Sequence, residues 1–360
     1  MLLVRKISLV QFKNYPQKIF DFHKRIIGIT GKNGVGKTNL LDAIYYLCFT
    51  RSYFSSQEQQ NVLYDTNGFR IEGLLEKLGQ PGKIVCTLKA GKKEISLDDT
   101  PYEKFSQHIG CFPAVMIAPD DAEIILGGSE PRRKWLDTML SQLDNAYLDH
   151  LIAYQKILLQ RNTLLKQIAE SGKNQDALLE ILDEQLALHG QPIFDARNAF
   201  LPGFNERVQR LYDYLAEAPE HVRIDYSCQL LEMPLIEWLK QQQLKDKMLQ
   251  RTSAGIHKDD LQFVLNDHPM KTSASQGQRK SFLFALKLAQ FEVLKELKNC
   301  PPILLLDDIF EKLDEERVSR LVKLVSEDDF GQVFITDTHQ ERLKNAFGAH
   351  ADQLQLIVIE

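Results

Sequence analysis

The sequence has few cysteines, no long apolar run and no surplus of positive charge. Its five cysteines are Cys48, Cys86, Cys111, Cys228 and Cys300, an odd number, and no two stand at C-x-x-C spacing. That excludes a disulfide framework or a thiolate zinc site and fits a reducing compartment. The most apolar interior stretch, Ile303-Leu304-Leu305-Leu306, is four residues long, far below the roughly 20 that cross a membrane as a helix. The opening Met1-Leu2-Leu3-Val4-Arg5-Lys6 meets charge after four residues, so no secretory leader is expected. A cytoplasmic protein with no membrane partner is the expectation. Lys plus Arg is 44 against 49 for Asp plus Glu, a formal net charge of −5. Such a balance disfavours a protein that coats nucleic acid through global charge. With 44% apolar and 26% charged residues the chain is neither disordered nor repetitive, and 360 residues predict two or three packed units.

The first part of the chain reads as strands and turns. Leu2 to Val10, Ile26 to Thr30, Phe69 to Leu74, Lys83 to Leu88 and Glu94 to Leu97 are β-type runs, parted by turn chemistry such as Gln80-Pro81-Gly82. They predict an antiparallel meander. From Leu148 the period changes, with Leu151, Tyr154, Leu158, Leu165 and Ile168 at helical spacing. Two more helical runs follow, through Leu178 to Leu186 and Phe200 to Leu215, and Pro192 and Pro202 are expected to punctuate them. Continuous apolar runs then return at Ile303 to Leu306, Val333 to Ile335 and Leu356 to Ile359, as in strands covered on both faces. The expected layout is an α/β head from residues 1–140 and 246–360, with a helical insertion over 141–245.

Gly31-Lys32-Asn33-Gly34-Val35-Gly36-Lys37-Thr38 fits the pattern G-x-x-x-x-G-K-[ST]. A strand precedes it and an apolar-striped helix follows, the context this loop needs. Its glycines let backbone amides converge on phosphate oxygens, and the helix N-terminus adds positive potential. Lys37 is expected to reach the β- and γ-phosphates of a nucleoside triphosphate and Thr38 to ligate Mg²⁺, with Asn39 next to them. The buried run at Ile303 ends in Asp307-Asp308. Asp307 is expected to hold Mg²⁺ and Asp308 to polarise the attacking water. Asp308 is one methylene shorter than glutamate, so slow hydrolysis of ATP is expected.

Ser275-Gln276-Gly277-Gln278 opens a helical pattern about thirty residues before Asp307, and Leu313-Asp314 follows the acidic strand end. In this order they resemble the signature motif and D-loop of ABC-type ATPases. That resemblance implies that the signature closes on the γ-phosphate held by a second subunit, giving a head-to-tail dimer around two ATP molecules. One of Asp337, Thr338 and His339 is expected to sense the γ-phosphate, with His339 at the position of the switch histidine.

An ordered set of segments then resembles the RecF family over essentially the whole chain. It comprises Phe12-Lys13-Asn14-Tyr15, Thr50-Arg51-Ser52, Ala118-Pro119-Asp120-Asp121, Gly127-Gly128-Ser129-Glu130-Pro131-Arg132-Arg133-Lys134-Trp135-Leu136-Asp137, Gln160-Arg161-Asn162, and Arg251-Thr252-Ser253-Ala254-Gly255-Ile256-His257-Lys258-Asp259-Asp260. The resemblance implies an ABC-type P-loop ATPase head with an inserted α-helical lid too short for the long arm of an SMC protein. It places Arg51 among the nucleotide-binding residues. It further implies a weak, DNA-stimulated ATPase that dimerises with ATP on DNA and works with RecR and RecO to help RecA load at single-strand gaps. An SMC-like ATPase with a different DNA-linked role and the nucleotide-binding subunit of a transporter are the competing readings. With net charge −5, DNA must meet a local patch, for which Arg132, Arg133, Lys134, Lys156 and Arg161 are the first candidates. Lys166, Lys240, Lys245, Lys247 and Arg251 are further ones.

Overall fold

A computed structural model of the chain describes residues 1–216, 219–311, 315–327 and 330–360. In chain order its regular elements begin with β1 (Leu2–Phe12), β2 (Tyr15–Asp21), β3 (Ile26–Thr30), α1 (Lys37–Phe49), β4 (Gly68–Lys77), β5 (Gln80–Lys89), β6 (Lys92–Leu97), β7 (Thr100–Pro101) and β8 (Ala114–Ile117). Next come α2 (Ala122–Leu126), α3 (Ser129–Leu143), α4 (Asn145–Ser171), α5 (Asp176–Ala216), β9 (Val222–Ser227), α6 (Leu235–Leu249), β10 (Asp260–Leu265), β11 (His268–Pro269) and α7 (Met270–Ser273). The last are α8 (Gln276–Leu297), β12 (Ile303–Leu306), α9 (Glu315–Ser326), β13 (Val333–Asp337), α10 (Gln340–Phe347) and β14 (Leu354–Val358).

These elements form two compact units. The first holds residues 1–121, 211–218 and 276–360, and the second holds 122–210 and 219–275. The expected insertion over 141–245 lies inside the second unit, apart from a return of the chain at 211–218. Its edges differ because α3 and the β9–β10–β11 sheet pack with the helices, a pairing of segments far apart in sequence.

In the first unit, a five-stranded sheet of order β14-β3-β13-β12-β8 is parallel throughout. β3, β8, β12 and β13 are buried at every position, as strands covered on both faces must be. A six-stranded antiparallel sheet of order β2-β1-β4-β5-β6-β7 carries the expected meander. β2 was not legible as a strand. It is an edge strand whose only buried side chains are Tyr15 and Phe20, so the alternation that betrays a half-buried strand is missing. α1 packs against β1, β4 and β5 of one sheet and against β8 and β13 of the other. Every residue from Leu40 to Phe49 is accordingly buried. Gln332 ties the two sheets together. Its amide oxygen accepts from the Val4 N–H at 2.6 Å and its amide nitrogen donates to the Val4 carbonyl at 3.0 Å, beside the irregularity in β1 between Val4 and Lys6.

The second unit is not purely helical, since it holds the three-stranded antiparallel sheet β11-β10-β9. Nor do Pro192 and Pro202 divide its longest helix, because α5 runs unbroken through both. Each proline removes one helical hydrogen bond. The burial of Ile193, Phe194, Leu201 and Phe204 around them offsets that loss.

Two buried arginines hold the helices of this unit. Arg197 donates to Asp259 at 2.7 Å, to Asp137 at 2.6 Å and to the Ile256 carbonyl at 3.1 Å. Arg161 is completely buried and donates to Asp183 at 2.5 Å, Asp246 at 2.7 Å and Thr252 at 2.9 Å. The expectation that Arg161 meets DNA is therefore corrected: its charge is spent on two carboxylates from α5 and α6. Removing one member of such a cluster leaves uncompensated buried charge. Arg161→Met is expected to lower unfolding stability by about 3–5 kcal/mol, read by chemical denaturation.

Candidate functional site

The parallel register brings three strand ends together. Thr30 of β3 pairs with Asp337 of β13, and Leu306 of β12 pairs with both Ile335 and Ile117. The loop after β3, the acidic pair after β12 and the end of β13 thus meet at one edge, where open α/β sheets form their ligand crevices.

The phosphate loop Gly31–Gly36 leads into α1, and its backbone requires glycine at two places for steric reasons. Gly36 is the N-cap of α1 with φ of 115°. A Cβ there would lie 2.7 Å from the Asn14 amide nitrogen and 2.8 Å from the Tyr15 hydroxyl. A Cβ on Gly31, at φ of 152°, would sit 2.3 Å from the Ile359 carbonyl oxygen. The loop is held from outside by the turn between β1 and β2. Asn14 donates to the Val35 carbonyl at 2.9 Å, Tyr15 donates to the Gly36 carbonyl at 2.9 Å, and Asn39 donates to Asn14 at 2.8 Å. These two loop-bracing residues had no assigned role in the sequence reading, although the segment containing them stood out.

Lys37 is 5% exposed, and its ammonium donates to the Gly31 and Lys32 carbonyls at 2.9 and 3.0 Å. Thr38 lies 3.0 Å from both carboxylate oxygens of Asp307. The Thr336 hydroxyl donates to Asp307 at 2.8 Å and accepts the Asp308 N–H at 2.8 Å. Thr336 carries no role in the motifs of the sequence. Its signal was a polar side chain inside an otherwise apolar buried strand. Burial pushes the Asp307 carboxyl up to about 6, and the neighbouring Asp308 pushes the same way, against the Thr336 and Thr38 hydroxyls and Lys37. A desolvated carboxylate beside a threonine hydroxyl is a fitting place for a hard divalent cation, which takes oxygen ligands and offsets the cost of burying the charge. Asp308 adopts a left-handed conformation with φ of 46°, unusual for a residue with a side chain.

The other candidates fall as follows. Lys32, Asn33 and Gly34 are exposed on the loop, and Val35 is half-buried. Arg51 is exposed just past α1, where Asp42 of the helix accepts from the Ser52 hydroxyl at 2.6 Å and the Tyr53 N–H at 2.7 Å. Gln276, Gly277 and Gln278 open α8 as expected, and Ser275 immediately precedes it. Asp337 is buried and accepts from the His339 N–H at 2.6 Å and from Arg342 at 3.3 Å, which leaves the exposed His339 ring at the head of α10. Asp314 lies outside the described residues.

Among the DNA candidates, Arg132 is also corrected. It is 9% exposed and donates to both carboxylate oxygens of Asp260, at 2.7 and 3.0 Å, and to the Gly127 carbonyl at 3.2 Å. Arg133 is half-buried and donates to the Asp259 carbonyl at 2.6 Å. Lys134, Lys156, Lys166, Lys240, Lys245, Arg251 and Lys258 are exposed, and Lys247 is half-buried beside Asp176. The Lys258 ammonium is held below the usual lysine range by partial burial, then by the like charges of Arg251 and Arg133. Those cations therefore share one local positive field. His257 beside it is structural. It accepts from the Tyr154 hydroxyl at 2.8 Å and lies 3.3 Å from the Thr252 carbonyl, as a neutral imidazole would. Burial pushes it down to about 4.

Fold and loop together define an ATPase head of the phosphate-loop class. The family model described as RecF/RecN/SMC N terminal domain matches residues 3–357. The DNA replication and repair protein RecF of Flavobacterium johnsoniae is 46% identical over 340 residues, 94% of this chain and 95% of that protein. The RecF of Cytophaga hutchinsonii is 40% identical over 357 residues, 99% of this chain and 95% of that protein. A solved structure of the recombination mediator protein RecF with ATP, in the RecFOR pathway, superposes with a TM-score of 0.87 at 32% identity, covering 94% of this chain and 92% of that one. The Smc head domain of Pyrococcus furiosus shares the fold at a TM-score of 0.56 and 16% identity, covering 100% of this chain and 94% of that one. The chain belongs to the RecF family. That membership sets aside the transporter-subunit reading. No described helix is long and apolar enough to cross a membrane.

Two outcomes test this geometry. Gly36→Ala is expected to cost nucleotide affinity at least about tenfold, since its Cβ meets Asn14 and Tyr15. Gly34→Ala, with open space around its Cβ at φ of 84°, bears only the left-handed strain of about 1–2 kcal/mol. Titration with ATP on both variants checks the order. For His257, the unfolded chain takes up a proton near pH 6.5 and the native chain only near pH 4. Its contribution is therefore intact above about pH 6.5 and lost as pH falls towards 4, by up to about 3 kcal/mol. Denaturant unfolding of His257→Gln from pH 7 to 4.5 is expected to fall less steeply than that of the wild type.

Proposed function

We propose that this chain is an ATP-dependent DNA-binding protein of recombinational repair and replication that pairs with a second copy on binding ATP. The observation that carries the reading is the meeting of Lys37, Thr38, Asp307 and Thr336 at the ends of β3, β12 and β13. Lys37 is placed to exchange its two carbonyl partners for phosphate oxygens. Thr38 and Asp307 would hold Mg²⁺, directly or through water, which when bound neutralises charge on the β- and γ-phosphates. Asp308 orients the attacking water. Its short side chain and its link to Thr336 fit slow turnover that resets the pair.

The head of α8, with Ser275 and Gln276 exposed and Gly277 and Gln278 half-buried, offers the γ-phosphate of a second copy a helix N-terminus rich in amides. His339 is available to sense that phosphate. The exposed cations Lys134, Lys245, Arg251 and Lys258, with the half-buried Arg133, supply phosphate contacts to DNA. An acidic chain then binds DNA through a local field, and binding is expected to be salt-dependent and weak in sequence preference. Membership of the RecF family supports action with RecO and RecR in loading RecA at single-strand gaps, and a cytoplasmic location.

The test is the mass of the chain in solution without nucleotide, with ATP and Mg²⁺, and with duplex DNA added. The wild type is expected to pair with ATP, and DNA to tighten the pair. Lys37→Met is expected to bind no ATP. Asp308→Asn is expected to bind ATP, hydrolyse it at least about a hundredfold more slowly and remain paired. Hydrolysis by Asp308→Asn at the wild-type rate would contradict the role given to that carboxylate.

A further inference from the structure

Beside the nucleotide site, the first unit buries a lysine that the reaction as described does not use. Lys287, on α8, is 3% exposed, and all three of its ammonium donors are taken. They go to the Met116 carbonyl at 2.9 Å, to Asp121 at 2.9 Å and to the Tyr53 hydroxyl at 3.1 Å. Tyr53 in turn donates a short hydrogen bond to the same oxygen of Asp121. The second oxygen of Asp121 accepts the Ala118 N–H at 2.8 Å. A buried ion pair of this kind is weak evidence for stability, because an apolar pair of similar volume often stabilises as well. Its use has to be sought in the groups it fixes.

Those groups belong to three parts of the nucleotide site. Lys287 and Asp121 grip Met116 and Ala118 on either side of Ile117, and the Ile117 carbonyl accepts the N–H of Asp307 at 2.8 Å. The cluster therefore sets the position of the carboxylate proposed for Mg²⁺. The Tyr53 N–H donates to Asp42 of α1, whose other oxygen is shared by Ser52 and Lys13, so Tyr53 links the phosphate-loop helix to the same point. Lys287 itself stands eleven residues after Gln276 on one helix, roughly 16 Å along its axis.

We propose that Tyr53, Asp121 and Lys287 are positioning residues. They hold the helix that begins with the signature in fixed register with Asp307 and α1, so that a chain loaded with ATP presents its signature in the orientation a second copy needs. This inference rests on the ATP-dependent pairing proposed above. Breaking the cluster should spare the binding of ATP by one chain, because Lys37, Thr38 and the loop keep their own contacts, and should weaken pairing.

The full-length wild type is compared with Tyr53→Phe, with the double substitution Asp121→Asn and Lys287→Met, and with Ile84→Val. Ile84→Val serves as a control for core packing in the antiparallel sheet. ATP affinity is measured at chain concentrations too low for pairing, and the dissociation constant of the pair by sedimentation with ATP and Mg²⁺. ATP affinity is expected to stay within about twofold, while the pair weakens about tenfold in the double variant and about threefold in Tyr53→Phe. Ile84→Val should move neither. Should the double variant fail to fold, Tyr53→Phe decides alone. Pairing as tight as wild type, or a loss of ATP affinity equal to the loss of pairing, overturns the positioning role and leaves ATP-dependent pairing standing. A wild type that does not pair with ATP overturns both.

Discussion

Burial of α1 between two sheets is the constraint on which the rest depends. The helix cannot shift without disturbing the antiparallel strands β1, β4 and β5 on one side and the parallel strands β8 and β13 on the other. Its first residues, Lys37 and Thr38, are therefore fixed relative to the strand ends that supply Asp307 and Thr336. Close-packed protein interiors transmit strain. On the reading proposed above, an anion bound at the head of α1 would be felt at the acidic strand end and, through Tyr53, Asp121 and Lys287, at α8. In that proposal one helix end is both the anion site and the mechanical reference for everything that must close around the nucleotide.

The same economy appears in how charge is used. Two sets of cations stand out in the second unit. Arg132, Arg161 and Arg197 are buried and ion-paired with Asp260, Asp183, Asp246, Asp137 and Asp259, and they specify how the helices and the small sheet meet. Lys134, Lys245, Arg251 and Lys258 stay exposed and are available to phosphate. An overall charge of −5 is compatible with DNA binding once the cations are counted by exposure. The like charges of Arg251 and Arg133 add to burial in lowering the Lys258 ammonium, and an approaching polyanion would offset their repulsion of it.

What could be read from the sequence was whatever depends on neighbours in the chain. The phosphate loop, the apolar strand ending in Asp307 and the helix opening at Gln276 each lie within a few consecutive residues, and each stands where expected. The parallel and antiparallel sheets were legible for the same reason, through continuous apolar runs in the one and β-type runs parted by turn chemistry in the other. What escaped depends on partners far away. Arg132 meets a carboxylate 128 positions later, and Arg161 meets Asp183 and Asp246 on two other helices, so both looked like surface charge. Pro192 and Pro202 carry the local signal of a break, which the packing of α5 overrides. Asn14, Tyr15 and Thr336 act through single hydroxyls and amides that leave no periodicity. The family motifs around Asp137 and Asp259 prove to be interior ion pairs, as much about holding the second unit together as about its partners.

The central claim is that Thr38 and Asp307 form one cation site for a nucleotide held by Lys37. Its most direct test is the magnesium dependence of ATP affinity in the wild type and in Asp307→Asn, by titration with Mg²⁺ and again with a chelator. Wild-type affinity should fall when Mg²⁺ is removed, and Asp307→Asn should bind ATP weakly and almost equally in both conditions. An Asp307→Asn chain that keeps the full wild-type response to Mg²⁺ would contradict the assignment.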